Sequence, residues 1–408
     1  MILHDVSHTS HSSANSGIQH VVRRMQAGLS QKTQVLPVCF DPYAGFWRKL
    51  HRGENRLLSI DNNTRFKGKR NIHWSYISKV RGVALRQLSK GLQIDTPGET
   101  SFLTAEIFNP VVYAHYSRLF PEMRGPKVAV FHDAIALRLP EFTPEKTCLR
   151  IPQYMMELLD FEGIAAVSKA SADDLRNFWE SRSVPRSKQP VIRVIPNASS
   201  FASRDGVRAV HQGAASREVL MVSTIEGRKN HLGLLKAAKT LWDENRDFTL
   251  RIIGGLNPRT GSEAHQVIAD LKNGGYPVMW DGAVSGAELA RAYKLCRFTV
   301  YPSLWEGFGL PVVESLSLGK PCVCTPFGGL KEVAAQGGCL VIEDGDPKSI
   351  ANGMRQLLED DTLLEKLIHE ANKRRYPSWG DHASEMLGFF EELKMTGRRC
   401  PAGQYCHH

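Results

Sequence analysis

Residues 301–314 read Tyr-Pro-Ser-Leu-Trp-Glu-Gly-Phe-Gly-Leu-Pro-Val-Val-Glu. The apolar run 297–300 ahead of them suits a buried parallel strand, and 310–318 behind them carry a helical pattern. Gly307 and Gly309 bend the chain between the two. Pro311 is tolerated only in a first helical turn, where its missing N–H would have gone unpaired. The stretch is therefore a strand, a glycine bend and a helix start. Such a start offers backbone N–H groups and the positive end of a dipole, which together suit a phosphate. Glu306 and Glu314 flank the bend. Two acids beside a phosphate site are costly unless they hold something else, and sugar or ribose hydroxyls are natural partners.

Outward from this stretch the alternation continues. After a first strand at 1–7 and a helix from Ile18, strands are expected at 34–40, 101–106, 128–135, 164–167 and 191–196, with helices over 151–161 and 169–181. The pattern restarts with strands at 219–224, 249–254, 278–282, 322–325 and 339–342. Helices between them span 230–245, 262–273 and 285–296, and a last one spans 381–395. Alternating strands and helices mean doubly wound parallel sheets. At 408 residues the chain exceeds one ordinary core, so two α/β domains are expected. Residues 41–100 read as irregular.

Composition is that of a soluble globular chain, 42% apolar and 23% charged, and no apolar run is long enough to span a bilayer. The start, Met1-Ile2-Leu3-His4-Asp5, lacks the charged region and cleavage pattern of a signal peptide. Scattered cysteines, several in apolar strands, favour reduced thiols in a cytosol. Cys322 and Cys324 read as small buried hydrophobes. His4, Asp5, His8 and His11 hint at a metal, but adjacent strand residues point to opposite faces, so no metal is expected. The net charge of +10 is concentrated: 46–90 hold twelve Lys/Arg against Glu54 and Asp61, with Phe46, Trp47, Trp74 and Tyr76 interleaved. That mixture suits an anionic membrane surface, an acidic acceptor or nucleic acid, or is simply a solvated basic face.

Glu306-Gly-Phe-Gly-Leu-Pro-Val-Val-Glu314 resembles the Glu-x7-Glu signature of retaining glycosyltransferases of GT-B family 4 (glycosyl transferases group 1). Ile225-Glu-Gly-Arg-Lys-Asn230 resembles that family's donor phosphate loop. Ser16-Gly-Ile-Gln19, Phe131-His-Asp-Ala-Ile135 and Ile195-Pro-Asn197 fit its N-terminal half. The likeness spans nearly the whole chain, strongest over 219–345 and weakest over 41–100. It implies an α/β GT-B fold, two Rossmann-like doubly wound parallel-sheet domains facing a central cleft. The implied divisions are an acceptor-binding domain at 1–200, a nucleotide-sugar domain at 201–376, a helix at 377–395 returning to the first domain, and a disordered tail at 396–408.

The resemblance also implies roles. Lys229, preceding a helix, would bind the donor diphosphate, where a cation stabilises the charge that develops on the leaving group. The family commonly carries an Arg just after the preceding strand; here Ser223-Thr224 stand there, and Arg228 or backbone N–H groups would supply the contact. Glu314 would accept ribose hydroxyls, and Glu306 the donor sugar's. Phe308, Gly309 and Leu310 would offer N–H groups to phosphate. His132 would contact the donor sugar near the reacting carbon, and Gly17 would let a phosphate or acceptor approach the backbone. Lys229 and Glu314 also admit plain readings, as a solvated helix start and a first-turn acid.

The implied activity is metal-independent, cofactor-free transfer of a hexose from a nucleoside-diphosphate sugar to a glycan or lipid-linked acceptor, with retention. The bacterial polysaccharide mannosyltransferases that the motifs resemble point to GDP-mannose; GDP-fucose, UDP-sugars and dTDP-rhamnose stay open. The enzyme would be cytoplasmic and peripheral on the inner membrane face, held by 46–90, with no nucleic acid partner. The alternatives are a transferase on a soluble sugar phosphate and a non-catalytic basic membrane- or nucleic-acid-binding protein.

Overall fold

The structure is a computed structural model that describes residues 1–14, 17–59, 74–88, 94, 98–201 and 216–396. The tail beyond 396, most of the connection at 199–217, and Lys67, Lys69 and Arg70 of the basic segment lie outside the described residues.

Two sheets account for the strands. The first holds β1 (Ile2–Asp5), β2 (Val35–Asp41), β3 (Phe46–Lys49), β4 (Ser101–Thr104), β5 (Lys127–Phe131), β6 (Gly163–Ala166) and β7 (Val191–Val194), in the order β3-β2-β1-β4-β5-β6-β7. The second holds β8 (Glu218–Val222), β9 (Thr249–Ile253), β10 (Val278–Trp280), β11 (Phe298–Tyr301), β12 (Cys322–Cys324) and β13 (Cys339–Val341), in the order β10-β9-β8-β11-β12-β13. Every pairing is parallel except β2 with β3. Both orders start in the middle, run to one edge, and resume beside the first strand. That is the doubly wound topology, in which ligands gather at the carboxyl ends of the two strands where the order reverses.

Helices cover both faces, which is why the central strands are buried along their length rather than at alternate residues. All five residues of β5 are buried. One face of the first sheet packs Phe102, Tyr116, Phe131 and Trp179 into a core. The other face packs Val22, Leu103 and Val130 against Phe389, Phe390 and Leu393 of the last helix, Trp379–Thr396. The last described helix thus packs on the sheet that the first strand belongs to. Glycines permit this docking. A Cβ on Gly28 would lie 2.6 Å from the Trp379 carbonyl oxygen, and one on Gly163 2.5 Å from Leu393 Cδ1. The second sheet has its own core around Val219, Leu235, Leu250 and Phe298.

Local sequence explains the helix starts. Ser168 caps Lys169–Ser181 by accepting from the Ser171 N–H at 3.0 Å. Ser285 and Glu288 form a capping box ahead of Gly286–Leu295. Three expectations need correction. The strand expected over 128–135 stops at Phe131, because Ile135 opens a short helix, Ile135–Arg138, whose first N–H is taken by Asp133. Residues 41–59 and 74–88 are ordered rather than irregular, with β3 and the helices Arg52–Leu58 and Tyr76–Leu88. Trp47 and Arg48 are not part of a basic surface. Trp47 is buried against Phe102 and Tyr116, and Arg48 is paired with Asp41 and Glu54 inside the fold. Among the described residues no helix is long and apolar enough to cross a membrane.

Candidate functional site

A cleft of about 580 Å³ lies between the carboxyl ends of the two sheets. Gly17, His132, Ser223, Thr224, Arg228, Lys229, Glu306, Phe308, Gly309, Leu310 and Glu314 all line it. Eleven residues read from separate motifs over three hundred positions therefore share one wall or the other.

The cationic corner is built by a tight turn. After β8 the chain makes a 3₁₀ turn, Gly227–Lys229, and passes through Asn230 in the left-handed conformation at φ 60°. Asparagine tolerates that conformation. The Asn230 side chain accepts from the Gly233 N–H at 3.2 Å and donates to the Gly345 carbonyl at 2.7 Å. The turn thereby directs Lys229 inward. Its ammonium bonds to the Tyr301 hydroxyl and to Glu306 Oε1. Arg228 joins from beside it, 3.1 Å from Glu306 Oε1 and 2.8 Å from Glu226 Oε1.

Burial pulls in opposite directions on this group. It would raise the Glu306 carboxyl, but Lys229 and Arg228 outweigh it and hold the group at about 2. Glu306 is therefore an acceptor and not an acid. For Lys229, burial and then the Arg228 charge lower the ammonium, with Glu306 opposing. Two cations thus meet two carboxylates in a largely buried space, and the ammonium and guanidinium are already aimed at one point.

The glycine bend faces this corner. Gly309 lies at φ +103°, where side chains are strained, and opens the helix Leu310–Ser317. Pro311 is in its first turn. The N–H groups of Gly309 and Leu310 precede the first bond inside that helix, so they are donors its start leaves over, and the Phe308 N–H lies one residue ahead of the N-cap. A Cβ on Gly307 would sit 2.3 Å from the His132 carbonyl oxygen. The bend therefore touches the opposite half at Gly307, where Ser171 Oγ also donates to the His132 and Gly307 carbonyls at 2.8 and 3.3 Å. Glu314 is one turn further on, 3.3 Å from the Tyr293 hydroxyl. Burial lifts its carboxyl to about 7, against smaller opposing effects of Tyr293 and Arg24.

On the other wall, His132 follows β5 and is buried. Its Nε2 lies 2.8 Å from the Ala105 carbonyl, which fixes the proton on Nε2 and leaves Nδ1 an acceptor. Burial lowers its pKa, so the ring is neutral at physiological pH. A Cβ on Gly17 would meet nothing within 4 Å, so the space above that backbone belongs to the cleft.

Sequence reasoning passed over four participants. Tyr301 opens the quoted stretch with no role of its own, yet its hydroxyl holds Lys229. Glu226 pairs with Arg228, a partnership that the Glu-x-Arg spacing could have suggested. Asp133 lines the cleft next to His132. Glu332, from the helix Gly329–Ala334, accepts the N–H groups of Lys169 and Ala170 at 2.8 and 2.7 Å, capping a helix of the opposite half. The hinted metal residues fall elsewhere. His4 is buried on Gln26, and His11, Glu54 and Cys39 lie close together. Glu54 is already engaged by Arg48 and His11, and burial keeps the Cys39 thiol protonated, which suits a salt-bridged network better than a cation.

Comparison with known proteins agrees with this geometry. Residues 209–374 match the family model described as glycosyl transferases group 1. The chain is 28% identical over 267 residues to the O-antigen chain mannosyltransferase B of Escherichia coli, covering 63% of this chain and 68% of that protein. It is 26% identical over 273 residues to the serotype-specific mannosyltransferase WbdA of Escherichia coli, of which the match spans only 32%. Among solved structures, sucrose-phosphate synthase from Thermosynechococcus elongatus superposes with a TM-score of 0.65 at 17% identity, over 97% of this chain and 99% of that one. Anabaena HepE, solved with UDP and glucose, gives 0.63 at 18%, over 95% and 99%. Residues 209–374 thus match the glycosyl transferases group 1 model, and the chain has the GT-B fold and resembles the bacterial mannosyltransferases.

Proposed function

We propose that the cleft transfers mannose from a nucleoside-diphosphate sugar, GDP-mannose by the names of its relatives, to a glycan or lipid-linked acceptor in surface polysaccharide synthesis. The observation that carries the reading is that Lys229 and Arg228 both reach Glu306 Oε1 in a cleft that the start of the helix Leu310–Ser317 also lines. A diphosphate placed there gains charge as the glycosidic bond breaks, and pre-aimed cations stabilise that charge without reorganising. In this reading residues 201–376 hold the donor and 1–200 the acceptor. Ser223 and Thr224, where the family has an Arg, leave Arg228 to supply the second charge.

Retention follows by front-face transfer. A carboxylate held at about 2 by two cations is a poor nucleophile, so Glu306 is left to orient donor sugar hydroxyls. The leaving phosphate takes the acceptor proton, and neutral His132 contacts the sugar through Nδ1. Glu314 accepts the ribose hydroxyls. Neither a metal nor a cofactor is needed where Lys229 and Arg228 supply the charge. The helix Tyr76–Leu88 leaves Tyr76, Ile77, Val80 and Val83 exposed beside Lys79, Arg81 and Arg86. That pairing of apolar and cationic groups supports peripheral attachment to an anionic inner membrane face.

The test is to incubate the protein, with and without chelator, with GDP-mannose, GDP-fucose, UDP-glucose and dTDP-rhamnose and follow nucleoside diphosphate release. The reading expects GDP-mannose to turn over fastest, chelator to have no effect, and the product to keep the α anomer by NMR. Release from none of them favours a non-catalytic binding protein.

A further inference from the structure

A second cavity, of about 430 Å³, lies in the first half of the chain, within the size range of small-molecule sites. It opens beyond the carboxyl ends of β1 and β4, the neighbours between which the order of the first sheet reverses. The cleft makes use of the equivalent place in the second sheet, beyond β8 and β11. Open α/β sheets collect ligands at this point, so this cavity is the first sheet's counterpart of the site already described.

The lining is specific. Phe40, Trp74 and Phe108 form apolar walls, and Asp5, Glu106 and His8 supply the charged and titratable groups. Among the described residues no Lys or Arg lines it. Trp74 is held in place by stacking on His11, ring centroids 3.8 Å apart. Asp5 and Glu106 are 0% and 4% exposed. Glu106 accepts the His8 and Thr9 N–H groups at 2.7 Å each, and Asp5 accepts the Tyr116 hydroxyl at 2.8 Å. Asp5 also accepts the Ser7 N–H and hydroxyl at 3.0 and 2.6 Å and the Thr104 hydroxyl at 3.4 Å, so its acceptor positions are filled. Glu106, with one bond on each oxygen, is the group that can still take an incoming hydroxyl. Aromatic faces suit the C–H faces of a pyranose, and Glu106 suits one of its hydroxyls. With no cation in the lining and burial already raising both carboxyls, nothing there balances the charge of a phosphate or uronate. The two cavities also share a wall: the Ala105 carbonyl that holds His132 is bonded directly to Glu106 through the chain.

We propose that this cavity is an acceptor subsite for neutral sugar units one or more residues away from the reacting hydroxyl. It rests on the transferase reading above and narrows the acceptor to a neutral glycan segment, against a sugar phosphate. The test is calorimetric titration of the full chain with mannotriose, with mannose 6-phosphate, and separately with GDP. Two variants are compared, Trp74→Ala and Val111→Arg. Val111 is 54% exposed at the rim, so its replacement leaves the core intact. Mannotriose is expected to bind at least about tenfold more tightly than mannose 6-phosphate, and each variant to weaken it by about tenfold. GDP affinity should stay within about twofold in both variants. No mannotriose binding, binding that neither variant weakens, or a preference for mannose 6-phosphate overturns the subsite. Absence of GDP binding with mannotriose binding intact overturns the transferase reading and leaves the sugar site.

Discussion

Lys229 and Glu306 come from loops after two adjacent strands of the second sheet, and their charges are in direct contact with each side chain almost wholly buried. The pair holds a cation and a carboxylate ready at the mouth of a helix start. In the proposed mechanism a diphosphate would take the cation and free the carboxylate for the sugar. This exchange is the core of the proposed mechanism, and it makes the two residues unequal in what their loss does.

Lys229→Ala removes the cation aimed at the leaving group. Turnover is expected to fall by about 100-fold or more, the size of losing one preorganised electrostatic contact. Arg228 and Tyr301 remain to hold Glu306, so the thermal midpoint should fall by only a few degrees. Nucleoside diphosphate release and calorimetric melting check the two halves of this prediction. Unchanged turnover removes Lys229 from the site.

Gly307→Ala places a methyl group 2.3 Å from the His132 carbonyl oxygen, closer than two such atoms can approach. The bend must then back away from the opposite half. The change is expected to lower kcat by at least about tenfold, while nucleoside diphosphate alone, held by the second half, binds within about threefold of the native affinity. Steady-state kinetics with parallel calorimetry separates the two; equal loss in both contradicts the idea that Gly307 sets the fit between the halves.

Glu314 carries a pH prediction. Its folded pKa, about 7, is above the usual carboxylate value of 4.5, so the fold favours the protonated form. That contribution to stability is complete below about pH 4.5 and is lost as the pH rises through 7. Ribose hydroxyls favour the ionised form, so nucleotide affinity should weaken from pH 8 to pH 6 more steeply in the native protein than in Glu314→Gln. Identical slopes contradict the assignment. Glu306 has the opposite sign: its stabilisation is present above about 4.5 and lost only as the pH falls through about 2.

Glu332 caps the helix Lys169–Ser181 from across the cleft, through two N–H bonds. Glu332→Ala is expected to cost about 1 kcal/mol of cap energy, and only in the arrangement where the halves are closed. Small-angle scattering should then record a larger radius of gyration with nucleotide bound than in the native protein. No change in radius means the cap does not bias closure.

Where a signal is local, the sequence carried it. The helices Lys169–Ser181 and Ser262–Asn273 were legible to the residue, the first because Ser168 is an N-cap. The glycine bend, Pro311 and the two glutamates mark the cleft in the sequence itself. What was not legible depends on partners far away in the chain. Trp47 and Arg48 read as surface because their core neighbours, Phe102 and Tyr116 for one and Asp41 and Glu54 for the other, are chosen by the fold. Tyr301 carried no role in the sequence, since nothing in its neighbourhood announces the Lys229 ammonium. The second cavity was equally silent. Asp5 and Glu106 are about a hundred residues apart, and only the pairing of β1 with β4 brings them to one edge.

The most direct test of the central claim is calorimetric titration with GDP and GMP, in the native protein and in Lys229→Ala. If Lys229 and the helix start at Leu310 form a diphosphate site, GDP binds at least about tenfold more tightly than GMP in the native protein, and Lys229→Ala removes most of that difference. Equal affinities for GDP and GMP in the native protein, or a preference that survives Lys229→Ala, contradict it.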